Sequence, residues 1–152
     1  MATDYSQYCI PLPHVTYTLV EIGRDPLTPS YFQSRAVGSG TGGVYVAFDT
    51  TTAYAEKKDN LEHSVLYQIK CNGAILVLDL KRYCQESNIS PEACYSGEHS
   101  LEKEIHKFYG QGVPAMCWPS NQRSEGTSAV LLVNNIPDFS NCFSAIAINT
   151  NS

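Results

Sequence analysis

Short runs of β-branched and aromatic residues recur along this chain, each closed within a few residues by glycine, proline or asparagine. That punctuation narrows the choice of fold more than any other feature, because strands this short bury a face only by sharing a sheet. Residues 14–22 (His-Val-Thr-Tyr-Thr-Leu-Val-Glu-Ile), 44–48, 63–70, 74–80, 113–118, 129–133 and 142–148 read as strands. Helical signals are fewer. Asp49 can cap a helix over 51–58, with its carboxylate near the positive helix start. Residues 81–87 read as a short helix or an irregular segment. Ser90-Pro91-Glu92 marks another helix start, with proline at the first position. Ser100 is expected to cap a helix to about Tyr109, in which Leu101, Ile105, Phe108 and Tyr109 form an apolar stripe that Gly110 ends. Asn72-Gly73 predicts a two-residue hairpin between 63–70 and 74–80. Many strands with few, short helices predict an α+β domain around an antiparallel or mixed sheet.

Composition sets the outer limits. A chain of 152 residues, 43% apolar, predicts one globular domain over 1–152. The net charge is −5, and the ten Lys and Arg do not cluster. Without a basic stripe, nucleic acid and anionic membrane surfaces are excluded as partners. No apolar run reaches membrane-spanning length, and the first residues lack a leader pattern. The expectation is a soluble protein acting in the cytoplasm; a domain cut from a larger delivered effector reads the same way. The six cysteines are Cys9, Cys71, Cys84, Cys94, Cys117 and Cys142. With no leader and with apolar neighbours at Cys117 and Cys142, buried free thiols are favoured over disulfides. No CxxC pair occurs and the four His are scattered, so no metal site is expected. Ten tyrosines suit either a ligand pocket or ordinary β-surface packing.

Candidate chemistry concentrates in Gly40-Thr-Gly-Gly-Val-Tyr-Val-Ala-Phe-Asp-Thr-Thr-Thr-Ala-Tyr-Ala-Glu56, a glycine loop, a strand and a helix in succession. Tyr45 lies in the strand and Glu56 about two turns into the helix. Small apolar neighbours could aim Glu56 into a cleft; the bland alternative is a solvated carboxylate screened by Lys57 and Lys58. Ser120 follows a strand in Trp118-Pro119-Ser120, where site residues often sit, although no nucleophile elbow surrounds it. Arg24 and Arg35 fall in the glycine-rich region before Val44. A guanidinium there could clamp a phosphate pair while glycines such as Gly43 let the backbone approach it. Cys117 with His106 would be a thiol-protease pair, but a thiol in mid-strand among apolar residues tends to be inert.

These pieces, in their order along the chain, resemble the RES domain family, toxins of bacterial toxin–antitoxin pairs named for an Arg, a Glu and a Ser. Gly40-Thr-Gly-Gly-Val-Tyr-Val-Ala-Phe-Asp is similar to the family's Gly-x-Pro-x-x-Tyr-x-Ala-x-Ser strand, and Ala53-Tyr-Ala-Glu56 to the helix that carries its Glu. Ile75-Leu-Val-Leu-Asp-Leu80, Pro119-Ser120, Leu131-Leu-Val-Asn-Asn and Pro137-Asp-Phe139 resemble its later segments. The resemblance spans about Tyr17 to Phe139. It departs at Thr18, where the family has an Arg after the Tyr, and around Arg35, where Gly-Gly-Arg-Trp-Asn is reduced to Gln33-Ser-Arg35-Ala-Val. Arg35 matches the second family Arg; the first is either replaced by Arg24 from the loop or absent.

The resemblance implies a fold like that of ADP-ribosyltransferase toxins, built around an NAD cleft. It implies cleavage of the nicotinamide–ribose bond of NAD as substrate, without a metal. Glu56 would stabilise the positive ribose, Tyr45 would stack on nicotinamide, Ser120 would hydrogen-bond substrate, and Arg35 or Arg24 would hold the pyrophosphate. An antitoxin or immunity protein is the implied partner. ADP-ribosyl transfer to a protein, a non-catalytic binding module of the same fold, and a plain structural domain remain as alternatives.

Overall fold

The computed structural model describes residues 5–29, 42–57, 61–123 and 125–148. After a 3-10 turn at Tyr5–Tyr8 come strands β1 (Cys9–Pro11), β2 (Val15–Glu21) and β3 (Gly43–Ala47), then helix α1 (Thr50–Lys57). Strands β4 (Ser64–Cys71) and β5 (Leu76–Asp79) lead into helix α2 (Leu80–Glu86), a π-helical turn at Glu92–Ser96 and helix α3 (Ser100–Tyr109). The chain closes with β6 (Ala115–Pro119), β7 (Thr127–Leu132), the short helix α4 (Phe139–Cys142) and β8 (Phe143–Ala147). This is an α+β fold on one mixed sheet in the order β1-β5-β6-β7-β3-β2-β4-β8. Among the described strands only β5 and β6 run parallel.

Alternation along the strands builds two apolar faces. On one face Leu78, Met116, Trp118, Val130 and Leu132 pack with Leu101, Ile105 and Phe108 of α3. The spacing of those α3 residues puts them on one stripe, as the sequence predicts. On the other face Val77, Ala115, Cys117, Ala129 and Leu131 meet Val44, Val46, Ile69 and Phe143. A third, smaller cluster joins Ala53 of α1 to Leu19, Ala47 and Leu66. It seats α1 across β2 and β3.

Three expectations change. The Asn72-Gly73 hairpin does not form, because β4 pairs with β2 and β8 whereas β5 pairs with β1 and β6. A tight primed turn needs positive φ at one or both central residues, and neither Asn72 nor Gly73 has it. The Asn72 N–H instead extends the β4–β8 ladder by donating to the Cys142 carbonyl at 2.7 Å. Secondly, Cys84 and Cys94 are joined by a disulfide rather than lying as free thiols. Both belong to the core beneath α3, where the return of the chain through the π-helical turn brings them face to face; Cys9, Cys71, Cys117 and Cys142 are free. Thirdly, Ser100 begins α3 but does not accept a capping bond; its hydroxyl donates to the Gly97 carbonyl at 2.9 Å. The Asp49 cap holds, its Oδ1 accepting the Thr52 N–H at 2.7 Å. No described helix is long and apolar enough to cross a membrane.

Candidate functional site

The sheet comes apart between two of its inner strands. β2 and β3 pair at one position, Tyr17 with Ala47. Continuing that register would match Thr18 with Val46, Leu19 with Tyr45 and Val20 with Val44, but these residues diverge. They line two adjoining cavities instead. The larger, about 280 Å³, is walled by Tyr17, Thr18, Leu19, Tyr45 and Val46 from the split, with Glu56, Trp118 and Ser128 around it. The smaller, about 160 Å³, shares Thr18, Leu19 and Tyr45 and adds Arg24, Pro26, Thr28 and Gly43.

Glu56 stands at this opening on an exposed part of α1. It is not a carboxylate loose in solvent. Its Oε1 accepts two hydroxyls, from Ser120 at 2.5 Å and from Ser128 at 2.6 Å. Hydrogen bonds to a carboxylate are among the stronger neutral-donor contacts, and two on one oxygen fix the side chain's rotamer. Both serines are buried. Ser120 is itself held by the backbone, its Oγ accepting N–H groups from Gln122 at 3.1 Å and Arg123 at 3.2 Å.

The turn that carries Ser120 is locked onto the start of α1. The Arg123 guanidinium reaches Asp49 Oδ2 at 3.3 Å and Thr52 Oγ1 at 3.1 Å. Burial pushes the Asp49 carboxyl up, but hydrogen bonds from Thr52 and the charge of Arg123 outweigh it and hold it below the usual carboxylate range. Gly126 closes the turn: its carbonyl accepts the Ser120 N–H at 2.9 Å, and its missing side chain leaves room for Thr52, which is fully buried. Thr52 and Glu56 lie one helical turn apart on the same face of α1. The same clamp therefore sets both where Ser120 sits and how α1 is rotated.

Among the residues anticipated from sequence, Glu56 and Ser120 meet directly, and Tyr45 lines the Glu56 cavity. Arg24 and Gly43 line the adjoining one. Arg35 lies outside the described residues. Cys117 and His106 make no pair: Cys117 belongs to the core on one face of the sheet, and α3, which carries exposed His106, packs on the other. Burial also pushes the Cys117 thiol up, as expected of an inert cysteine. Sequence reading missed Ser128 and Arg123. Ser128 had a signal, a polar residue at the inward position of a strand whose next inward residues are Val130 and Leu132. Arg123 had none, since the side chains its guanidinium clamps on α1 and at its start lie 71 and 74 residues away. Among the described residues no cluster of His, Cys, Asp or Glu could hold a metal ion.

No protein-family model matches the chain, and no curated protein matches it in sequence. In fold it is similar to a chain of the crystal structure of the M. tuberculosis MbcT–MbcA toxin–antitoxin complex. The TM-score is 0.71 at 13% identity, with 95% of this chain and 91% of that one covered. At that identity the likeness is one of fold.

Proposed function

We propose that this chain is a toxin domain that cleaves the nicotinamide–ribose bond of NAD, with water as acceptor. The observation that carries the reading is Glu56 at the mouth of the split sheet, one oxygen held by two serines and the carboxylate still open to solvent. Breaking the bond sends its electron pair to the nicotinamide ring nitrogen and leaves positive charge on the ribose. A preorganised carboxylate stabilises such a cation as it forms. Water then adds at the same carbon and releases a proton, giving ADP-ribose and nicotinamide.

The remaining geometry supports the same substrate. Tyr45, Tyr17 and Trp118 offer apolar faces to a flat ring. Arg24 in the adjoining cavity offers a guanidinium to the pyrophosphate. The fold shared with a chain of a toxin–antitoxin complex supports a toxin role, and with it an inhibitory protein partner.

The test is incubation of the purified protein with NAD, following nicotinamide and ADP-ribose. Glu56→Gln should lower turnover at least about 100-fold, the scale set by loss of one preorganised electrostatic group. Unchanged NAD loss in that variant would end the assignment. The exposure of Glu56 also admits a protein side chain as acceptor; label retained on a target protein in the same assay, in place of free ADP-ribose, would mark transfer.

A further inference from the structure

We infer that Ser128 is the hydroxyl that meets the substrate, accepting a hydrogen bond from the nicotinamide-side ribose, while Ser120 acts only through Glu56. The inference rests on the NAD-cleaving reading above. It follows from hydrogen-bond capacity. A serine hydroxyl has one hydrogen to give and two lone pairs to fill. Ser120 gives its hydrogen to Glu56 and fills both lone pairs with the Gln122 and Arg123 N–H groups. Nothing is left for a substrate, and Ser120 is not among the residues that wall the cavity.

Ser128 differs at each point. It also gives its hydrogen to Glu56 Oε1, at 2.6 Å. Among the described residues, however, no donor is hydrogen-bonded to its oxygen. It walls the cavity and is only 6% exposed, so bulk water cannot easily supply the missing donors. Its cross-strand neighbours are Ala47 and Trp118, and neither is hydrogen-bonded to its hydroxyl. A buried acceptor with unfilled capacity at a cavity wall is a site for a donor. Because Ser128 sits against the carboxylate, the donor it receives is one close to the reacting carbon. On NAD those donors are the hydroxyls of the same ribose. With both serines on Oε1, Oε2 remains the oxygen that faces the developing cation.

Steady-state kinetics with NAD, and with analogues lacking the 2′- or 3′-hydroxyl on the nicotinamide ribose, tests this. Ser128→Ala should raise KM and lower kcat/KM on NAD by about 5- to 50-fold, the range for one lost hydrogen bond. On one of the two analogues Ser128→Ala should lose less than it does on NAD, because the lost partner is already gone and only the cost of its missing bond to Glu56 remains. Ser120→Ala should lower kcat with KM unchanged, and by the same factor on every substrate. Ser128→Thr keeps the hydroxyl and should keep the wild-type KM, which separates the contact from a folding defect. An active wild type in which Ser128→Ala loses the same factor on both analogues as on NAD would overturn this inference alone. So would a Ser128→Ala effect confined to kcat. A wild type that leaves NAD intact would overturn the proposed activity, and this inference with it.

Discussion

Replacing Gly126 by alanine tests whether the clamp between the Ser120 turn and α1 is as tight as its geometry indicates. A Cβ added there would stand 2.1 Å from Thr52 Oγ1, 2.8 Å from its Cγ2 and 2.9 Å from its Cβ. Ordinary contact begins at 3.4 Å, so the nearest pair must separate by about 1.3 Å. Thr52 cannot swing aside. It is fully buried, its β-branched side chain is stiff at χ1, and Arg123 holds its hydroxyl. The displacement must therefore come from the turn or from α1, and either moves Ser120 relative to Glu56. Overpacking of this kind destabilises by about 1–3 kcal/mol. For a chain of this size that lowers the melting temperature by roughly 3–10 °C. A shift of about 1 Å between groups that must act together costs about 100-fold in rate. Thermal and urea denaturation read the first effect, and NAD turnover reads the second. The double variant Gly126→Ala with Thr52→Ala removes the two closest atoms other than Cβ, so the double variant should be less destabilised than the sum of the two single changes. Gly126→Ala as stable as wild type, or single-variant losses that merely add in the double, would refute the clamp.

Other outcomes follow from particular contacts. Asp49→Asn keeps a capping side chain but loses the charge that Arg123 faces. Since folding lowers the Asp49 pKa, its contribution is present above the unfolded carboxylate value and is lost as pH falls through the folded one. The stability gap between wild type and Asp49→Asn should be open at pH 6 and close below about pH 4; a gap that widens in acid would contradict it. Reducing the Cys84–Cys94 bridge, which spans 10 residues of sequence, should cost about 2–3 kcal/mol in urea unfolding, and identical curves with and without reductant would show that the bridge contributes nothing. Cys117, buried and with its thiol pushed up, should resist iodoacetamide at pH 8 in the folded protein and react on unfolding; rapid labelling of the native state would disprove its burial.

Local patterns carried far in this chain because most of its elements are locally consistent. The β2, β3, β4 and β7 segments declare themselves through β-branched and aromatic runs, and α3 through the spacing of Leu101, Ile105 and Phe108. Asp49 is legible as a cap because its partner, the Thr52 N–H, is three residues away. The hairpin misreading has a non-local cause. Asn72-Gly73 reads as a hairpin only if the strands on either side are neighbours, and β4 and β5 belong to distant parts of the sheet. β1, three residues long, carries no periodicity to detect.

The residue sequence by itself determined most of the strands and helices, the alternation that gives the sheet two apolar faces, and the presence of a carboxylate at 56 and a serine at 120. Only the tertiary structure decided that β2 and β3 part after one pair, that Ser120 and Ser128 share one oxygen of Glu56, and that Arg123 and Gly126 clamp that arrangement. Those contacts join residues 64, 72 and 74 positions apart. No window of sequence holds both partners, and the strand order that unites them is set by burial summed over the whole sheet.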